Sequence, residues 1–349
     1  MNIKSLNRKL NKKFAGRVTA RLSDGCIVLT GELDDWNDVV DAGMTAATPH
    51  SSTHVVNDIV FTGAAEEKMH MPAINDKALD GEKPDVLVIG GGISGCSVAR
   101  ELSRYKLSVL LIDKEADLAL GASGRNDGEV HPGVDLSKGS LKHKYIRRAN
   151  HMYEDLCREL DVPFKRTGQY ACFTHKSWLP FVSLYAKWRR DHDGIEDTCI
   201  VMGDEIRKKE PKISADVAFA LSNPSSGSVS PYNLVIAYAE NAVQNGARVS
   251  LNTAVTGMDV SGGEIKAVYT NRGTIYPREV INCAGVYSDV VAQMAQDRFF
   301  SIHPRRGTNS ILDKKTGASF HGIASIVMSQ SPVQTHTKGG GILHTMHDN

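Results

Sequence analysis

No two of the six cysteines (Cys26, Cys96, Cys157, Cys172, Cys199 and Cys283) stand at C-x-x-C spacing. That removes the usual signatures of a zinc site or an iron–sulfur cluster, and no metal is expected. Scattered thiols of this kind fit a reducing, cytoplasmic setting. No apolar run approaches the roughly 20 residues that cross a bilayer as a helix. The first 14 residues lack the apolar core of a secretory signal and contain no acid; Lys4, Arg8, Lys9, Lys12 and Lys13 read as a solvated helix face. Neither sign of charge dominates: 41 basic and 40 acidic residues leave a formal net charge of +1. Composition therefore gives no reason to expect nucleic acid as a partner, and peripheral contact with an inner membrane face stays open. At 349 residues, 41% of them hydrophobic, the chain is long for one core, and two or three domains are expected.

What is present begins with a small unit at residues 1–63. Residues 17–22 alternate as a strand, Asp24-Gly25 is a hairpin signal, and residues 26–30 read as the returning strand. Residues 34–47 fit a helix with Trp36, Val39, Val40 and Met44 on one side, and 55–60 fit another strand. The segment resembles a BON-type α/β module, which implies an accessory role and a protein partner rather than catalysis. Residues 64–83 mix charge, Met, Pro and Gly without periodicity and read as a linker.

The most informative stretch follows. Val86, Leu87, Val88 and Ile89 suit a buried parallel strand. Gly90, Gly91, Gly92 and Gly95 then form a G-x-G-x-x-G cluster ahead of a helix-compatible stretch at 96–106. Gly90 permits the tight turn, Gly92 leaves no side chain against a pyrophosphate, and Gly95 lets helix and strand pack closely. A second aliphatic strand, 108–112, ends in Asp113, 23 residues after Gly90, where an acid should meet an adenosine ribose. From Pro84 onward strands and helices alternate, as in a sheet covered by helices. Residues 141–160 read as an amphipathic helix with Leu141, Tyr145, Met152, Leu156 and Leu160 on its apolar face. Residues 163–225 lose the βαβ rhythm. A helix at 231–245, stopped by Gly246, leads to strands at 248–251, 264–270, 274–276 and 279–282.

Three further segments sharpen the dinucleotide reading: Gly121 to His131, with small residues and the donors Arg125, Asn126 and His131; residues 251–255, read as a strand; and residues 280–288, a strand running into Ala284-Gly285. Together these motifs resemble the FAD-dependent oxidoreductases of the D-amino-acid oxidase superfamily. Gly-Arg-Asn-x-Gly-x-x-His is similar to the anaerobic-type glycerol-3-phosphate dehydrogenase branch, with 2-hydroxyglutarate oxidases as relatives. The resemblance implies an α/β fold: an FAD-binding Rossmann-like domain of glutathione-reductase type at 84–162 and 226–300, with an inserted α+β substrate domain at 163–225 and 301–349. It implies FAD as cofactor. Gly90, Gly91, Gly92 and Gly95 would hold its pyrophosphate, Asp113 the ribose with Lys114 beside it, and Ala122, Ser123 and Asn126 the pyrophosphate and flavin. Val255 would meet adenine through its backbone, and Ala284 and Gly285 would pass close to the cofactor.

The same resemblance implies hydride transfer from a hydroxyl-bearing carbon, glycerol 3-phosphate giving dihydroxyacetone phosphate, with a quinone or redox protein as electron acceptor. His131 is either the proton acceptor or a flavin-packing residue. Arg305 and Arg306 either bind a small anionic substrate or are a solvated strand end. Oxidation of 2-hydroxyglutarate, another 2-hydroxy acid or an amino acid is the alternative; a nicotinamide-binding enzyme and a non-catalytic flavin-binding scaffold are more distant ones. The family pattern continues past residues 338–343 into elements that the chain, ending at Asn349, does not reach, so a C-terminally truncated piece of a longer protein is expected.

Overall fold

The computed structural model describes residues 2–47, 54–65, 69–304, 307, 321–326 and 341–342. The chain divides into two compact units, residues 1–122 with 238–307 and residues 123–237 with 308–349. This division differs from the one expected from sequence: residues 123–162 and 226–237 fall with the region between them rather than with the strands around the glycine cluster.

In the first unit the N-terminal segment is a three-stranded sheet carrying two helices. The Asn2 side chain accepts the Lys4 N–H and caps the helix Ile3–Phe14, whose Leu6, Leu10 and Phe14 recur at four-residue spacing and are buried. Strands Val18–Ser23 and Cys26–Leu33 pair antiparallel through the two-residue turn Asp24-Gly25, at φ 49° and 76°, the left-handed pair that matches strand twist. Val55–Phe61 adds parallel to the second strand. The helix Trp36–Ala46 corrects the expected face. It buries Val39, Ala42 and Ala46 and leaves Trp36 and Met44 exposed, because the two alanines let it lie close to the sheet. This module also grips a later segment: the Asn57 N–H donates to Ser301 Oγ at 2.8 Å, Asn57 Nδ2 meets His303 Nε2 at 3.1 Å, and Arg298 pairs with Asp58 at 2.8 Å. Burial lowers the pKa of His303.

A four-stranded parallel sheet follows, in the order Arg248–Ser250, Val109–Ile112, Val86–Ile89, Glu279–Asn282. Its two central strands are buried at every position, as continuous aliphatic runs require in a parallel sheet. Residues 251–254 form a turn rather than a strand, with Asn252 at φ 51°. Asn271 fills that turn by donating to the Asn252 carbonyl and accepting from the Ala254 N–H. Strands Val255–Ser261, Glu264–Thr270 and Gly273–Ile275 complete an antiparallel layer.

The region expected to be a linker is stitched down. Leu79 is buried, Glu82 bridges to Ile275, and Asn271 donates to the Ile74 carbonyl. Arg272 clasps Asp76 at 3.0 and 3.1 Å, Arg248 clasps Glu82 at 2.5 and 3.0 Å, and Arg278 meets Asp85 at 3.0 Å. The guanidinium partners hold the Asp76 and Glu82 carboxyls below their usual range; Ser108, then Arg278, does so for Asp85. A carboxyl depressed on folding stabilises the fold above its unfolded pKa, about 4. That contribution is lost as pH falls through the folded value. Amide exchange across residues 74–85, corrected for intrinsic rates, is expected to show protection at pH 7 that weakens at pH 3. Equal protection at both would refute the role of these pairs.

The second unit holds a five-stranded mixed sheet ordered Gly341–Ile342, Ile323–Ile326, Gln169–Phe173, Phe219–Asn223, Cys199–Met202. The helix Leu179–Asp193 packs Val182 and Ala186 on it, beside stacked Phe173 and Phe219. A small second sheet pairs Glu129–Val130 and Phe164–Lys165 with the two sides of Gly227–Val229. The helix Leu141–Glu159 forms where expected but turns its other side inward. His143, Asn150 and Cys157 are buried, whereas Leu141 is 71% exposed and Tyr145 and Met152 are exposed too. The reason is polar: Asn150 is needed inside to donate to backbone carbonyls.

Candidate functional site

The strand Val86–Ile89 delivers the chain into the glycine turn, and the helix Ile93–Leu102 leaves it with Gly92 as N-cap. Gly90 lies at φ 110°, and a Cβ there would stand 2.3 Å from the Cys283 carbonyl oxygen. A Cβ on Gly95 would stand 1.8 Å from the Gly90 carbonyl oxygen, and one on Gly91 would stand 2.4 Å from Leu118. The turn is therefore closed to side chains by backbone at Gly90 and Gly95. With no side chain at the N-cap, the helix presents backbone N–H groups and the positive end of its dipole, an arrangement fitted to a pyrophosphate. Behind the turn, burial and then the Asp113 carboxylate push the Cys96 thiol up to about 12, and Cys96 Sγ lies 3.5 Å from the Gly91 carbonyl oxygen. Cys96 is a packing residue.

Asp113 ends the neighbouring strand. One carboxylate oxygen accepts the Gly91 N–H at 2.5 Å and the other the Glu115 N–H at 2.8 Å, so Asp113 ties the glycine turn to its own. Lys114 pairs with Glu115 and lies 5.2 Å over the Tyr287 ring. From the other side, Ala284 Cα would be 3.1 Å from a Gly90 Cβ, and Gly285 enters a short 3-10 turn at φ 59°. Val255 is buried in the core with Ile89 and Ile112. The first unit thus brings together Gly90, Gly91, Gly92, Gly95, Asp113 and Ala284, with Lys114 and Gly285 flanking, while Val255 stands in the core beneath. Ala122 closes this unit.

Ser123, Asn126 and His131 belong to the second unit. Asn126 Nδ2 donates to the Ser123 carbonyl at 2.7 Å, and its Oδ1 accepts the Gly128 N–H at 2.9 Å. It shapes the loop that leads to His131. Gly128 is required at φ 70°, since a Cβ would stand 2.2 Å from the Val229 carbonyl oxygen. His131 Nδ1 lies 3.3 Å from Glu129 Oε1. The His131 side chain is 45% exposed and that of Glu129 only 7%. Burial raises the Glu129 pKa, the His131 ring acts in the other direction, and Asp127 and Asp135 add to the rise. Arg305 and Arg306 lie outside the described residues.

Three residues that sequence reasoning passed over hold this loop. Asn150 Nδ2 donates to the carbonyls of His131 and Ser225 at 3.0 Å. Beyond His131, the buried Arg189 donates to the carbonyls of Gly133, Val134 and Leu136 and pairs with Asp193. Glu129 is the third. Its signal was present in the sequence, because an acid two positions before a histidine in an extended segment shares its face.

Comparison with known proteins places these features in context. A family profile described as FAD dependent oxidoreductase matches residues 85–348. Over 266 residues the chain is 35% identical to a glycerol 3-phosphate dehydrogenase of Caloramator mitchellensis, covering 76% of this chain and 54% of that protein. It is 33% identical to an L-2-hydroxyglutarate dehydrogenase of Indibacter alkaliphilus, covering 64% and 56%. The structure of L-alpha-glycerophosphate oxidase from Mycoplasma pneumoniae, dithionite-reduced with FAD bound, superposes with a TM-score of 0.56 at 27% identity, covering 62% of this chain and 57% of that one. The chain thus spans little more than half the length of the curated relatives it matches.

Proposed function

The chain belongs to the family of FAD dependent oxidoreductases, and from that premise we propose that it oxidises the secondary hydroxyl of glycerol 3-phosphate to the ketone. The observation that supports this substrate is the likeness to the Caloramator mitchellensis glycerol 3-phosphate dehydrogenase over 266 residues. Gly90, Gly91, Gly92 and Gly95 would hold the pyrophosphate of FAD at a turn where a Cβ on Gly90 or Gly95 would strike a backbone carbonyl oxygen, and Asp113 braces that turn. Ala122, Val255, Ala284 and Gly285 of the same unit would complete the cofactor's surroundings there. Bound FAD supplies the acceptor for the two electrons that leave the substrate carbon as hydride.

His131 accepts the hydroxyl proton through a ring nitrogen. Arg305 and Arg306 take the anionic end of the substrate. A quinone or redox protein would be the electron acceptor, and the segment at residues 1–63 would be the surface for a protein partner. A second reading, oxidation of a 2-hydroxy acid, is favoured by the likeness to L-2-hydroxyglutarate dehydrogenase.

Anaerobic addition of glycerol 3-phosphate to the FAD-loaded chain is expected to bleach the flavin's visible absorption, while 2-hydroxyglutarate leaves it unchanged. The opposite pattern selects the second reading. With the preferred substrate, His131→Ala is expected to slow reduction on the order of 10²–10⁴-fold. Reduction at the wild-type rate would remove His131 from the chemistry.

A further inference from the structure

Glu129 is an acid placed where an acid is costly. Its side chain is 7% exposed, and an ionised carboxylate removed from water needs a charged or donating partner to be tolerated. Two groups answer it: Ser226 Oγ at 3.4 Å from Oε1 and His131 Nδ1 at 3.3 Å from the same oxygen. The carboxylates of Asp127 and Asp135 also act on it, both unfavourably, which leaves His131 and Ser226 as the side chains that favour its ionised form.

The backbone is fixed as firmly as the side chains. Glu129 and Val130 form a strand with Gly227–Val229, and Asn150 holds the His131 carbonyl. A neutral imidazole has one donor nitrogen and one acceptor nitrogen, and the hydrogen bond made by one decides the role of the other. A carboxylate can only accept.

We propose that Glu129 is the positioning residue for His131: it takes the Nδ1–H of the neutral ring, which fixes the tautomer and turns Nε2 outward as the proton acceptor. This rests on the reading of His131 as the base, but the tautomer can be measured without any turnover.

The FAD-loaded protein, labelled with 15N in its histidine rings, is examined by long-range 1H–15N correlation at a pH where the spectrum itself shows the ring to be neutral. The wild-type ring is expected to be the Nδ1–H form. Glu129→Leu, which fills the buried site without an acceptor, is expected to shift the ring towards Nε2–H. The same substitution lowers kcat for flavin reduction on the order of 10–100-fold, the range seen when a group that orients a histidine is removed, with KM changing by about 2-fold or less. Glu129→Gln, whose amide oxygen still accepts Nδ1–H, is expected to restore the tautomer and most of the rate.

A wild-type ring in the Nε2–H form overturns the proposal without any variant, as does a tautomer indifferent to Glu129→Leu. A tautomer that responds to Glu129 while His131→Ala reduces flavin normally supports the positioning and overturns the base assignment instead.

Discussion

Arg189→Met is expected to lower the unfolding free energy by about 3–5 kcal/mol, the loss typical when one partner of a buried ion pair is removed. The guanidinium is 2% exposed, and its Asp193 partner is fully buried. It also donates to the carbonyls of Gly133, Val134 and Leu136, at 3.0 Å to the first and 2.6 Å to the second, and Tyr185 adds its hydroxyl to the Val134 carbonyl at 2.5 Å. Methionine matches the aliphatic stem but satisfies none of these oxygens, and it leaves the buried Asp193 carboxylate to Lys138, at 3.4 Å.

Urea denaturation followed by near-UV circular dichroism would measure the loss. The companion double variant, Arg189→Met with Asp193→Leu, removes the buried carboxylate as well and is expected to recover part of the loss. A single variant within about 0.5 kcal/mol of wild type, the range of ordinary surface changes, would show that the loop is held by other means.

The second large effect is expected at Gly95→Ala. The added methyl would stand 1.8 Å from the Gly90 carbonyl oxygen, and backbone, unlike a flexible side chain, cannot swing away. Forcing an extra carbon into such a contact costs about 1–3 kcal/mol. If that strain is borne by the pyrophosphate cradle, FAD affinity falls on the order of 10–100-fold. Fluorescence titration of the apoprotein with FAD checks this. Gly257→Ala is the control, because its Cβ would meet only Tyr269, at an ordinary 3.5 Å. Equal FAD affinity in wild type and Gly95→Ala would mean that the cradle does not hold the cofactor.

The parts of the fold that could be read from sequence are those decided by neighbours in the chain. Four aliphatic residues, a glycine cluster and a helix-compatible stretch specify strand, turn and helix locally, and Asp24-Gly25 specifies its hairpin in the same way. The inward face of Leu141–Glu159 was not legible. Its apolar residues obey helical spacing, yet the interior needed an amide for the carbonyls of His131 and Ser225, and the latter lies 75 residues further along the chain.

The stretch at residues 74–85 misled for a related reason. Without periodicity residues 64–83 resemble a linker, but Asp76 and Glu82 within them meet Arg272 and Arg248. Arg189 was invisible as well, since a cation within a helix reads as solvent-facing until its carbonyl partners are known.

The grip of the N-terminal module on Ser301 and His303 makes it a clasp. The chain leaves the module at Phe61, builds the parallel sheet, and comes back to the same module through residues 298–303. Excising residues 1–63 would therefore do more than drop an appendage. It would strip the partners from Ser301 and His303, so a shortened variant meant to isolate the FAD-binding region would also lose what anchors residues 298–303.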